Sequence, residues 1–125
     1  MTGKVGRIGF SVLQVEYKEI QPRVAAITVT GHVRLGKESE QIEEMTKALV
    51  SQGYKMLLFD ISEVGTMDST GVGRFISSLT VAMQAGAQMK IAGANPRVRE
   101  LFRVTRLDTI FQFYDDLEAA RTAAD

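Results

Sequence analysis

Residues 56–75 read MLLFDISEVGTMDSTGVGRF, and the fold turns on how this stretch is parsed. The run Lys55–Ile61 is apolar without alternation and has polar residues on either side, the pattern of a strand covered on both faces, as in a parallel sheet. Seven positions after Ile61 begins a turn in which an aspartate, two hydroxyls and two glycines fall within Asp68–Gly73. Val72, Phe75, Ile76, Leu79 and Met83 then recur at helical spacing until Gly86. A buried strand that enters an amphipathic helix through a short polar turn is half of a β-α-β unit.

Upstream, Ser11–Ile20 alternates, with Val12, Gln14 and Glu16 against Leu13, Val15 and Tyr17. Val24–Gly31 reads as a second strand after Pro22, and the short connection predicts an antiparallel pair. Ile42, Met45 and Leu49 then mark a helix that begins near Glu38 and has Gly53 as its C-terminal cap. Downstream, Ala87–Gly93 is a short strand. Asn95 followed by Pro96 starts a third helix that buries Val98, Leu101 and Phe102. Thr109–Tyr114 reads as a final edge strand, and 115–124 as a closing helix with acidic residues in its first turn. The order β-β-α-β-α-β-α-β-α predicts an α/β fold: a mixed sheet of four to five strands, its N-terminal pair antiparallel, flanked by about four helices. Residues 1–9 are glycine-rich and expected to be loosely organised, which leaves 10–125 as one domain.

The composition narrows function. Fifteen basic residues balance fifteen acidic ones, so no global field draws the chain to nucleic acid or anionic lipid. Cysteine is absent, which excludes disulfides and thiolate metal sites. The longest apolar runs fall far short of the ~20 residues that span a bilayer. The first ten residues lack the apolar stretch of a secretory signal, so a cytoplasmic protein is expected. Arg99, Arg103 and Arg106, with Arg97 nearby, form a basic face on the third helix, read as a solvated or secondary partner surface. The six methionines are read as core gap-fillers.

Chemistry at Asp68–Gly73 fits enzymes poorly. A nucleophile elbow at Ser69 needs glycines two before and two after; Gly71 is present, but position 67 is Met. The single histidine, His32, precedes the serine, and no second one serves as base. Gly71 and Gly73 begin a GxGxxG pattern that fails at Ile76, and no GxxxxGK[ST] motif occurs. No metal-ligand spacing is recognisable, and no cofactor is implied. Asp60 and Asp68 read as a strand end and a helix cap, respectively. Asp68 or Ser69 can accept from the free N–H groups of the following helix. Two glycines in its first turn cost about 1 kcal/mol each against alanine, which calls for tight packing or the close approach of a partner.

Asp60-Ile61-Ser62-Glu63-Val64 followed by Met67-Asp68-Ser69-Thr70-Gly71-Val72-Gly73 resembles the signature of STAS domains, specifically anti-sigma factor antagonists. The element order matches that family from about Phe10 to Ala124, and residues 95–120 resemble its C-terminal third. The resemblance implies a protein without catalysis. A serine kinase that is also the anti-sigma factor phosphorylates the serine after the aspartate, here Ser69; the unphosphorylated form binds that kinase and frees a sigma factor; a PP2C-type phosphatase resets it. By matching positions, Asp68, Thr70, Gly71 and Gly73 lie at the docking surface; Val72, Arg74 (a further cation on that face, or an inert one) and, from the preceding loop, His32 and Arg34 are read as partner-binding candidates beside them. A monomer or weak dimer is expected, with no direct nucleic-acid contact and no membrane insertion. Where typical antagonists carry a segment resembling Gly-Glu-Leu-Asp, this chain has Gly31-His32-Val33-Arg34-Leu35-Gly36, exchanging carboxylates for His and Arg. An arginine near Ser69 is suited to charge-assisted bonds with a phosphoserine. The alternatives are a non-switching STAS scaffold, in a stress-signalling assembly or beside a transporter, and a small hydrolase or nucleotide-binding protein.

Overall fold

The computed structural model describes residues 5–8 and 13–123, the first group by backbone alone. A six-stranded sheet runs in chain order, β1 (Val5–Ile8), β2 (Leu13–Gln21), β3 (Val24–Val33), β4 (Met56–Met67), β5 (Gln88–Ala92) and β6 (Gln112–Tyr114). β1, β2 and β3 pair antiparallel; β3 through β6 pair parallel. Four α-helices complete it: α1 (Glu40–Ser51), α2 (Ser69–Gln84), α3 (Pro96–Val104) and α4 (Leu117–Thr122).

Neighbouring strands follow one another along the chain, and right-handed crossovers between parallel strands lay successive helices on one face. Ile42, Met45 and Leu49 of α1, Val72, Phe75 and Ala82 of α2, and Val98 and Phe102 of α3 accordingly share one core with Ile27, Leu57, Phe59 and Ile91 of the sheet. Edge-to-face rings run through that core. Phe59 meets Phe75 at 5.4 Å between centroids, Phe75 meets Phe102 at 6.3 Å, and Phe102 meets Phe111 and Phe113 at 5.3 and 5.1 Å. α4 follows the last strand and covers the other face, where Leu58, Ala92 and Ala120 form a small cluster. Beneath it the ammonium of Lys90, 1% exposed, donates toward the carbonyls of Ala120 and Ala123 and lies 5.3 Å from the ring of Tyr114.

The expected boundary signals hold where local chemistry sets them. Pro22 and Arg23, the latter with φ 65°, turn β2 into β3, and the Arg23 carbonyl accepts from Lys55 and Met56 to start the parallel ladder. Asn95 caps α3 by accepting from Val98 at 2.9 Å, with Pro96 in the first helical turn. α1 ends one residue before Gln52, and Gly53 (φ 95°) follows.

Several expectations need correction. β4 does not stop at Ile61 but continues to Met67, because β3 supplies partners as far as Val33, with register shifts that absorb the extra β4 residues. Asp60 is therefore inside the strand, its carboxylate accepting from the amide and hydroxyl of Ser62. Within 1–9, Val5–Ile8 is a strand held against β2, a pairing that a glycine-rich sequence does not announce; residues 1–4 and 9–12, Val12 among them, lie outside the described residues, as do 124–125. The last strand loses 109–111 to the turn closed by Ile110 N–H on the Leu107 carbonyl. Met83 is 67% exposed, its place on the buried side of α2 being taken by Ala82 and Ser78. Leu101 is half-buried beside the fully covered Val98 and Phe102.

Candidate functional site at the junction of β4 and α2

The C-terminal end of a parallel strand followed by a helix N-terminus is where α/β sheets place ligand and partner chemistry. At this end Asp68, in extended conformation, closes the β3–β4 ladder by donating its N–H to the Val33 carbonyl at 3.1 Å. Its carboxylate then works in two directions. Oδ1 accepts from Gly71 N–H at 3.0 Å and caps α2, whereas Oδ2 accepts from Leu35 N–H at 2.9 Å in the loop after β3. Asp68, and not Ser69, is the cap. Burial alone pushes the Asp68 carboxyl up, but the amides of Gly71, Leu35 and Thr70 together outweigh it and hold the group below its ordinary range.

Ser69, first residue of α2, is exposed, and its hydroxyl has no hydrogen bond among the described residues. Thr70 is half-buried. The two glycines of this turn differ in kind. A Cβ on Gly71 would sit 2.4 Å from the Val33 carbonyl oxygen and 2.7 Å from Met67 Cγ, so packing of α2 against β3 demands glycine there. A Cβ on Gly73 would meet nothing within 4 Å. Gly73 leaves an open, low-relief patch on the outer side of the helix.

Of the other residues expected at the docking surface, Val72 is only 3% exposed and Gly71 is covered by Val33; both shape the surface from beneath. The guanidinium of Arg74 is engaged rather than free: Nε donates to Ser39 Oγ at 3.0 Å, and the far nitrogen lies 3.7 Å from a Glu40 carboxylate oxygen, tying α2 to the start of α1. His32 is exposed, with Nδ1 2.8 Å from Thr66 Oγ1; its ring lies by Gly65 and its partner is not Ser69, which removes the base that a serine nucleophile would need. Arg34 is exposed and has no ion pair among the described residues. Asp60 shares no hydrogen bond with Asp68, so the two carboxylates do not form an acid–base pair.

Sequence reasoning missed three participants. Leu35 enters through its backbone amide, Ser39 through a buried hydroxyl that donates to the Gly36 carbonyl, and Thr66 through the β3–β4 register that sets it opposite His32. Only the last left a signal, in the parallel pairing of two apolar strands.

The sequence model of the STAS domain matches residues 14–120. The chain belongs to the STAS-domain family. Over 78 residues it is 27% identical to the anti-sigma-B factor antagonist of Staphylococcus aureus, covering 62% of this chain and 72% of that one. The unphosphorylated anti-sigma factor antagonist SpoIIAA has a similar fold, with a TM-score of 0.71 at 18% identity over 89% of this chain and 99% of that chain. So does a sulfate transporter family protein of Wolinella succinogenes, with a TM-score of 0.72 at 13% identity over 82% and 85%. No helix among the described residues of this STAS domain is long and apolar enough to cross a membrane.

Within this STAS domain the two-directional carboxylate makes a prediction. Asp68→Ala removes a helix cap and leaves the Leu35 amide without its acceptor, an expected loss of about 2 kcal/mol at neutral pH. Because the folded-state pKa lies below the unfolded one, the Asp68 contribution is complete above about pH 4 and disappears as pH falls through the lowered value. Denaturant titrations should show the gap between wild type and Asp68→Ala closing below about pH 4. A gap independent of pH would mean that the carboxylate charge contributes nothing.

Proposed function

We propose that this STAS domain is an anti-sigma factor antagonist that acts by binding rather than catalysis and is switched by phosphorylation of Ser69. Unphosphorylated, it engages an anti-sigma factor that is also a serine kinase, and a sigma factor is released; a PP2C-type phosphatase restores that state. The observation that carries the reading is the Ser69 hydroxyl: exposed, unbonded, and held at the first turn of a helix whose cap and underside are fixed. A kinase reaches it without unfolding anything. The similarity to the S. aureus antagonist, and to SpoIIAA, which is known in both unphosphorylated and phosphorylated forms, supports the same reading.

The physical effect follows from charge. A phosphoryl group adds about −1.5 to −2 at neutral pH. The free N–H groups and dipole of α2 tolerate an anion at this position, so the fold persists. Asp68 beside it raises the local negative potential further, and a surface complementary to the unmodified face is repelled. The proposal sets the protein in the cytoplasm as a monomer or weak dimer, working on other proteins and without direct nucleic-acid contact.

The test incubates the chain with ATP and purified anti-sigma-factor serine kinases from its source organism, followed by intact mass. One added phosphoryl group, absent in Ser69→Ala, is expected, and Ser69→Asp should bind the kinase at least tenfold more weakly than wild type. No phosphate with any kinase, together with binding unaltered in Ser69→Asp, would favour a non-switching scaffold. Turnover of an ester or nucleotide by the purified chain would point to an enzyme.

A further inference from the structure

We propose that Arg34 and Leu35 form the tip by which this domain selects its partner, Leu35 entering an apolar pocket on that protein and Arg34 pairing with a carboxylate at the pocket's rim. The inference rests on the reading of Ser69 as the switch of a protein-binding surface and specifies the chemistry of what binds there.

Leu35 is 79% exposed, more than any other large hydrophobic residue described; Met83, Val104 and Ile110 follow at 67, 58 and 48%. An isolated exposed leucine carries little meaning in itself. This one is held in place. Its N–H is fixed by Asp68 Oδ2 at 2.9 Å, and the Val33 carbonyl receives Asp68 N–H at 3.1 Å, so two bonds to one residue bracket Arg34. On the far side Gly36, with φ 139°, turns the chain into the 3-10 turn Lys37–Ser39, where Ser39 donates to the Gly36 carbonyl at 2.9 Å and accepts from Arg74. The tip is clamped at both ends. An anchor that is already ordered loses little conformational entropy on binding, which is the condition under which one apolar side chain contributes usefully to affinity.

The charges around it select the partner. Arg74 is engaged with Ser39 and Glu40, and His32 is bonded to Thr66, whereas Arg34 is exposed without an ion pair among the described residues. An unpaired guanidinium beside an exposed leucine complements a carboxylate beside an apolar pocket and is mismatched to a basic rim. The bracket ties the backbone on either side of Arg34 to Asp68, the residue preceding Ser69. A phosphate on Ser69 therefore offers Arg34 an anion on its own chain, competing with the partner's carboxylate through a charge-assisted bond. Modification removes an attraction as well as adding a repulsion.

The experiment titrates wild type, Arg34→Ala, Arg34→Glu and Leu35→Ala against the purified serine kinase that phosphorylates the wild-type chain, at low and high salt, with thermal unfolding as a control. Both side chains are exposed, so unchanged melting is expected for every variant. Leu35→Ala should weaken binding about tenfold at either salt, as loss of a buried apolar contact requires. Arg34→Glu should weaken it about a hundredfold at low salt and less at high salt, with Arg34→Ala between, since like charges then meet. Binding within twofold of wild type for both Leu35→Ala and Arg34→Glu, with phosphorylation still abolishing it, overturns this inference and leaves the switch standing. If no anti-sigma-factor kinase binds or modifies the wild-type chain, the switch fails and the inference falls with it.

Discussion

Gly71→Ala is expected to destabilise the domain by about 2 kcal/mol, while Gly73→Ala, two positions along the same helix, stabilises it by about 0.5–1 kcal/mol. Helix propensity predicts the same gain at both sites, near 1 kcal/mol for alanine over glycine. The surroundings decide the sign. At position 71 the new methyl group falls 2.4 Å from the Val33 carbonyl oxygen, 2.7 Å from Met67 Cγ and 2.8 Å from Val33 Cγ1. The nearest obstacle is backbone in the β3–β4 ladder, which cannot rotate away as a side chain does, so α2 must lift at its first turn and strain the Asp68 cap with it. Overpacking of this kind costs about 1–3 kcal/mol or more, which exceeds the propensity gain. At position 73 nothing lies within 4 Å, and the gain is kept. Urea midpoints with unchanged slopes would give both values directly. A Gly71→Ala protein as stable as wild type would show that α2 is not seated on β3 as described. If Gly73→Ala is more stable and yet binds the kinase less well, the glycine is there for the partner.

Phe102→Ala should be costlier still, at about 3–5 kcal/mol. Phe102 is fully buried and stands where three aromatic contacts converge, from Phe75 on α2 and from Phe111 and Phe113 on and before β6. Truncation loses the transfer energy of the ring, leaves a cavity, and removes edge-to-face contacts worth roughly 0.5–1.5 kcal/mol each beyond their area. Because small domains have only about 5–15 kcal/mol in total, the variant should melt far below wild type. Phe102→Leu keeps most of the volume and should lose roughly 1.5 kcal/mol, a value measurable even if the alanine variant does not fold. Val104→Ala on the same helix, at a position 58% exposed, should stay within about 0.5 kcal/mol of wild type. Equal losses for Phe102→Ala and Val104→Ala would place the core elsewhere.

What could be read from the sequence was what short-range chemistry dictates. The apolar run at 56–59 pointed to a central parallel strand, Asn95 before Pro96 to a helix start, and Ile42, Met45 and Leu49 to a buried face. Each depends on neighbours in the chain. The extension of β4 through Ser62–Met67 depends instead on β3 offering ladder partners, since Val64 and Thr66 are the segment's only strong strand formers and are interrupted by Glu63 and Gly65. β1 was hidden for the same reason. At the site, the sequence marked Asp68 and Ser69 as rival caps and offered both glycines the same two reasons, tight packing or a partner's approach, without assigning either. Only the approach of Val33 distinguishes Gly71 from Gly73, and only the reach of a carboxylate to Leu35 settles the cap. Arg74 looked like a free cation because Ser39 and Glu40, its partners, lie far back in the chain.

The two faces of the sheet are unequally furnished, and that asymmetry has a consequence for motion. On one side α1, α2 and α3 share a continuous core with β3, β4 and β5; on the other, the short α4 rests on Leu58, Ala92 and Ala120, with the Lys90 ammonium beneath its last carbonyls. In the language of amide exchange, α4 belongs to the shallow end of the protection hierarchy: it can open locally while the central ladder stays bonded. The amides of β3 and β4, paired in the centre of the sheet, are by contrast expected to exchange only when the whole domain opens. The β4–α2 junction hangs from that ladder, so under the proposed switch a kinase arriving at Ser69 would meet a surface that keeps its shape even when the opposite side opens.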